Sequence, residues 1–228
     1  MPEPSGAFVA GMEDIIEVYH LPSDPTIPTL CFDEYGLALT ADTHEPLPPR
    51  PGDVAKQDYE YSREGSCTLF GAFEPHTGRR IIQVCERRTR REFAHVIKAL
   101  LTEHYPEATR VRLVLDNLNI HTPGALYEHL PAAEARALAR RIEWHFTPKH
   151  GSWLNMQEIE WAVLKRQVFK HQRLATQAAV EQAVIAWAVE RTQRRVRVDW
   201  RFTVEDARLT MHTCYPIPER CPDTRSKS

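Results

Sequence analysis

The chain has 228 residues and 29 Lys and Arg against 31 Asp and Glu, so its formal net charge is -2, and its pI is about 6.6. That length suits one domain with a small appendage, and a 42% hydrophobic, 26% charged composition excludes a disordered polypeptide. The near-zero charge excludes a uniformly basic, histone-like protein, but separated acidic and basic regions fit it equally well.

Phe8, Val9, Met12, Ile15, Ile16 and Tyr19 recur at spacings of three and four, which predicts an amphipathic helix over 7–20, after a loose start at Met1 to Gly6. Pro22, Pro25 and Pro28 make an extended connector, so residues 1–28 read as an N-terminal helix and connector. Thr29 to Asp33 (TLCFD) predicts a short strand and Gly36 to Thr40 a second. Residues 43–53 (THEPLPPRPGD) read as a Pro-rich surface loop, a plain loop being favoured over a ligand for an SH3-like partner. Cys67 to Phe73 and Arg80 to Cys85, around the turn residues 74–78, predict a β-hairpin. A helix follows over 89–105, a strand over 111–116, and a helix over 123–141 with a break at Pro131. Ile142 to Phe146 reads as a strand, and 153–169 and 176–191 as helices, with Ser152 as N-cap of the first. Residues 198–202 are ambiguous, 217–228 read as a disordered tail, and no internal repeat is visible. Antiparallel pairing followed by β-α-β crossovers predicts an α/β fold, a mixed sheet with helices on both faces, as one domain over 29–216.

Five cysteines, Cys31, Cys67, Cys85, Cys214 and Cys221, include no CxxC pair, which favours free thiols in a reducing compartment over a disulfide or zinc framework. No apolar run approaches the ~18 residues of a membrane span. No basic stretch precedes an apolar core at the start, so no secretory signal is expected.

Three acidic positions stand out. Asp33 ends the strand TLCFD and is followed by Glu34; Asp116 ends RLVLD; Glu158 lies within the helix SWLNMQEIEWAVLKRQ. Ligands of open α/β sheets bind at strand ends, and a carboxylate that follows an apolar strand there can reach water or a cation. Oxygen donors suit Mg²⁺ and Mn²⁺, and two such ions ~3.5–4 Å apart can stabilise the attacking and leaving oxygens of a phosphodiester cleavage. Taken singly, each carboxylate reads better as a turn cap or a surface charge.

The words around these positions join them. CFDEYGL (31–37), LVLDNLNIHTPGALYE (113–128) and HFTPKHGSWLNMQEIEWAVLKRQ (145–167) resemble the catalytic domain of IS630-family transposases, of the IS630/Tc1/mariner group of DDE transposases. The likeness continues through PLPPRPG (46–52), DYEYSREGSCTLFGAFEP (58–75), ERRTRREFA (86–94) and VDWRFTVEDARL (198–209). It implies a ribonuclease H-like fold, with Asp33, Asp116 and Glu158 as the catalytic carboxylates holding Mg²⁺, with Mn²⁺ as substitute, as a pair of ions. Glu160 rivals Glu158, but side chains two apart on a helix diverge by about 200°, so only one faces the metals; the LN-x-x-E register favours Glu158. Glu34 reads as supporting or structural. The sequence departs from the family at Tyr35, Leu37 and the bulky Trp161, and the 41 residues between Asp116 and Glu158 exceed the spacing of Tc1-like members.

The same resemblance implies cleavage of DNA at element ends and joining of the 3′-OH to target DNA, at a TA dinucleotide, by a homodimer or larger assembly in a prokaryotic cytoplasm, at the nucleoid. The DNA contacts expected are Asn117, His121, Lys149, His150, Asn155, Lys165 and Arg166. Asn155 also suits orienting the carboxylates; turn or helix-start hydrogen bonding is the alternative for Asn155 and the favoured reading for His121. Trp153, Trp161 and Trp187 are read as core. About 30 residues precede Asp33, too few for a helix-turn-helix reader, so a catalytic portion without that reader is expected. The alternatives are a nuclease of the same fold without transposition and a catalytically silent remnant.

Overall fold

The computed structural model describes residues 4–43, 60–170 and 172–217. Most of the Pro-rich loop at 43–53, the start at Met1, Cys221 and the tail from residue 218 lie outside the described residues.

Helix α1 (Gly6–His20) begins earlier than its periodicity alone suggests, because the Ser5 hydroxyl accepts the Phe8 N–H and caps it. The sheet contains β1 (Thr29–Asp42), β2 (Tyr61–Glu74), β3 (Arg79–Cys85), β4 (Val111–Leu115) and β5 (Ile142–Phe146), in the spatial order β3-β2-β1-β4-β5. The first three strands are antiparallel, whereas β4 and β5 join β1 in parallel. This is the mixed sheet that the antiparallel pairing and β-α-β crossovers predict, in the arrangement the family resemblance implies.

The two short strands expected at 29–33 and 36–40 are one strand. Gly36 does not end it, since every residue from Cys31 to Leu39 keeps its β2 partner and the register shifts only between Leu39 and Thr40. Alternation along β1 splits the core. Leu30 and Phe32 face α2 (Arg90–Ala99), α3 (Pro123–His129) and α4 (Ala132–Ala139), whereas Cys31 faces α1 on the opposite side. Pro131 separates α3 from α4, as expected, and a π-helical stretch at Leu100–His104 finishes the helix begun by α2.

The helix expected over 153–169 divides. Ser152–Leu154 form a 3₁₀ turn, Asn155 is extended, α5 runs Gln157–Leu164, and Lys165–Phe169 wind as a π-helix. Ser152 therefore does not cap α5: Met156 precedes the helix without a side-chain cap, and just before it the Asn155 Oδ1 accepts the Gln157 N–H at 3.1 Å. Helix α6 (Gln177–Gln193) is capped by Thr176 and lies with α5 over β2 and β3. Residues 198–202 have no regular structure, and they lead into α7 (Val204–Thr210), a helix the periodicity did not reveal. Its signal was local: Thr203 and Asp206 form a capping box.

Cys31, Cys67 and Cys85 are free thiols. Among the described residues no helix is long and apolar enough to cross a membrane.

Candidate active site

Cys31 and Val114 are register partners across the parallel β1–β4 pair. Asp33 comes two residues after Cys31 on β1, so its side chain emerges on the same, α1–α5 side of the sheet. Asp116 directly follows the last residue of β4, near enough for its charge to bear on Asp33. Asp33 is also the partner of Gly71 on β2. A Cβ at Gly71 would come within 2.5 Å of the Trp161 ring and 2.6 Å of the Gln157 amide. The missing side chain thus lets the first turns of α5 lie directly on the sheet beside Asp33, and Glu158 belongs to those turns.

Asn155 fastens this junction. It is 2% exposed, and its Nδ2 donates to the Phe32 carbonyl at 2.8 Å, one residue before Asp33, while its Oδ1 accepts the Gln157 N–H. A DNA contact by Asn155 does not fit that burial; its geometry is that of a tie between β1 and α5.

Glu158 is exposed, whereas Glu160 is 1% exposed. Glu160 receives Arg80 through two hydrogen bonds, and Arg191 at 3.3 Å. The two glutamates thus point in opposite directions, as the angular argument requires.

Burial pushes the Asp33 carboxyl up to about 7, reinforced by the negative charges of Glu158, Glu34 and Asp116. Glu34 points to the opposite side of the sheet, where it meets His121. That imidazole is completely buried; its Nε2 lies 2.5 Å from Glu34 Oε1 and its Nδ1 2.6 Å from Asp116 Oδ1. Burial alone would lower its pKa, but hydrogen bonds to Asp116 and Glu34 outweigh that and raise it to about 9. A ring with no exposed surface cannot touch a DNA strand, so His121 is an internal bridge and not a surface contact. The sequence offered no signal for this bridge, because 86 residues separate Glu34 from His121.

Three other expected contacts share one cleft of about 950 Å³. Asn117, Lys149 and His150 line it together with Ser5, Phe8 and Phe146. His150 has a φ of +66°, a left-handed conformation uncommon outside glycine. Lys165 and Arg166 are exposed at the other end of α5. Trp161 and Trp187 are core residues, as expected, but Trp153 is 42% exposed and rests edge-on against Phe202. The departures at Tyr35, Leu37 and Trp161 explain one another: Tyr35 lies between Trp161 and Phe169, and Leu37 packs on the same cluster.

Among the described residues no three His, Cys, Asp or Glu side chains converge closely enough to hold an ion as they stand. The donor set nevertheless suits a hard divalent cation. Asp33, Asp116 and Glu158 offer only oxygen, and a positive charge there would offset both the burial and the neighbouring negative charges that raise Asp33.

The fold is that of several solved structures. The Mos1 mariner paired end complex with Mn is 15% identical, with a TM-score of 0.56 over 82% of this chain and 56% of that chain. A pre-cleavage Mos1 transpososome is 13% identical, with a TM-score of 0.58 over 93% of this chain and 63% of that chain. The Mos1 transposase paired-end complex with left transposon end is 16% identical, with a TM-score of 0.55 over 86% and 60%. The chain thus spans less than two thirds of the length of these structures. No curated protein matches it. The DDE superfamily endonuclease family matches residues 28–181, a stretch that begins at the residue before β1, contains Asp33, Asp116 and Glu158, and exceeds half the chain. The chain therefore belongs to the DDE superfamily endonucleases.

Proposed function

We propose that this chain is the catalytic domain of an insertion-element transposase of the IS630/Tc1/mariner group, cutting DNA phosphodiesters and joining the exposed 3′-OH to target DNA. The observation that carries this reading is the crowding of Asp33 by Glu158, Glu34 and Asp116 at the end of β4, in a chain of the DDE endonuclease family. Asp33, Asp116 and Glu158 hold the cations, Mg²⁺ or Mn²⁺, as a pair. When bound, such ions neutralise charge on the scissile phosphate and make water, or a DNA 3′-OH, a better nucleophile.

The protein's own contributions are positional. β1 carries Asp33, Asp116 follows the end of β4, Asn155 fixes α5 against the strand that carries Asp33, and Glu158 faces outward from α5. No covalent enzyme intermediate is required. The cleft of Asn117, Lys149 and His150 borders Asp116, and Lys165 and Arg166 extend the cationic surface beyond Glu158; these are the DNA contacts proposed. The partners are element ends and a TA target, engaged by a homodimer or larger assembly, in a prokaryotic cytoplasm.

The test is nicking of supercoiled plasmid in Mn²⁺ or Mg²⁺, with the expectation that Asp116→Ala abolishes it. Joining of a supplied 3′-OH end to target DNA is expected from a transposase. Nicking without joining points to a nuclease of the same fold, and no nicking in Mn²⁺ at high protein overturns the enzymatic reading.

A further inference from the structure

The side chains of Glu34 and His121 are buried behind the acidic site. The Glu34 side chain is 1% exposed and His121 0%, the imidazole resting against Phe32 and Phe93 with ring centroids 5.9 and 5.0 Å away. Buried carboxylates are costly unless partnered, yet Glu34 Oε2 has no partner and Oε1 is committed to His121 Nε2 at 2.5 Å. Such a group is poorly explained as packing; an apolar residue of the same size would fill the space at lower cost.

The other side of the imidazole shows what the arrangement does. His121 Nδ1 meets Asp116 Oδ1 at 2.6 Å and the Asp116 carbonyl at 3.0 Å, so the ring spans both the main chain and the side chain of that residue. The Leu118 N–H donates to the same Oδ1 at 3.3 Å. Both side-chain contacts of Asp116 are therefore to Oδ1, and no hydrogen bond among the described residues engages Oδ2.

We propose that His121, held by Glu34, is the positioning residue of Asp116: it occupies Oδ1 and leaves Oδ2 as the single oxygen that Asp116 offers to a cation. This rests on the reading of Asp33, Asp116 and Glu158 as the cation ligands. Hydrogen-bonded partners behind a ligand of this kind set its direction, and losing them weakens metal binding by about 10- to 100-fold. Glu34 acts one step further back, by fixing the plane of the ring.

Direct titration of the full chain with Mn²⁺ alone, followed by its electron paramagnetic resonance signal, tests this. His121→Asn places an amide nitrogen near the position of Nδ1 and keeps the hydrogen bond to Asp116; it retains Mn²⁺ affinity within about threefold, whereas His121→Gln, whose amide reaches the Nε2 position instead, loses about 10-fold or more. A purely structural role predicts equal losses in the two variants, with equal falls in melting temperature, and that result overturns the proposal. Wild-type affinity in His121→Gln overturns it as well. Should His121→Gln fail to fold, Glu34→Gln keeps the buried shape and carries the test: weaker Mn²⁺ binding supports the proposal, and unchanged binding overturns it. Asp116→Asn separates the two readings. If that variant binds Mn²⁺ as wild type does, the assignment of the ligands fails and the positioning role falls with it. If it loses Mn²⁺ while His121→Gln does not, only the positioning role fails.

Discussion

Arg80 and Glu160 form a doubly hydrogen-bonded pair in the interior, Nε to Oε2 at 2.5 Å and Nη2 to Oε1 at 2.8 Å. The pair joins β3 to α5, and Arg80 also donates to the Val196 carbonyl and lies over the Phe73 ring. It fixes the rotation of α5 about its axis. With Glu160 turned in toward Arg80, Glu158 must turn out.

The two glutamates are therefore expected to fail in different ways. Glu160→Gln leaves the Arg80 charge poorly compensated in the interior and costs about 3–5 kcal/mol, read as a lower midpoint in urea. Glu158→Gln leaves that midpoint within about 0.5 kcal/mol of wild type, as expected for a surface change, and removes cation-dependent nicking. The opposite pattern, with nicking lost in a stable Glu160→Gln, would show that the third carboxylate is misassigned.

Gly71 offers a test of how α5 is seated. A Cβ there meets two Trp161 ring carbons at 2.5 Å, so Gly71→Ala is expected to cost about 1–3 kcal/mol through overpacking. Trp161→Phe removes those carbons. In a double-mutant cycle the two changes should couple, the alanine costing less when combined with Trp161→Phe. Strict additivity of the two unfolding free energies would mean that the ring does not set the distance.

The stability of the cation-free protein should fall with rising pH in two stages. The folded-state pKa of Asp33 is raised from 3.8 to about 7, so the stability linked to its proton is fully present below pH 4 and is lost as pH rises through 7. His121, raised from 6.5 to about 9, contributes stability below pH 6.5 that is lost as pH passes 9. Melting temperatures between pH 4 and 9 in EDTA should show both declines, and Asp33→Asn should flatten the first. Mn²⁺ should do likewise, with proton release on binding near pH 6 detectable by calorimetry in two buffers. A first decline unchanged by either would place the titration elsewhere.

Lys165→Ala with Arg166→Ala should weaken DNA binding in a salt-dependent manner. If each side chain neutralises one phosphate, the slope of log K against log salt becomes shallower by about 2 in the double variant. Equal slopes would remove these residues from the DNA surface.

The sheet was readable from the sequence because its strands are apolar and their ends carry turn residues. β4 and β5 each came within a residue of their predicted bounds. Asp116 was visible as a carboxylate that closes an apolar strand and Glu158 through the LN-x-x-E register, whereas Asp33, read as a strand end, lies inside β1, which runs on to Asp42. What escaped depended on contacts between distant segments. Tyr35 and Trp161 looked like unrelated departures until β1 and α5 were seen to pack together. Nothing local marks Gly71 as the point of closest approach, or His121 as a buried bridge. Trp153 was misread because a helix was drawn through it; the extended backbone at Asn155 ends that helix and leaves the indole partly in solvent.

β4 accompanies β1 only over Thr29–Cys31, whereas β1 continues to Asp42 paired with β2 on its other flank. The sheet consequently has a step in its outline, and Asp33 and Asp116 stand at the tread. A DNA strand, the proposed substrate, would lie across such a step with its two arms leaving in different directions.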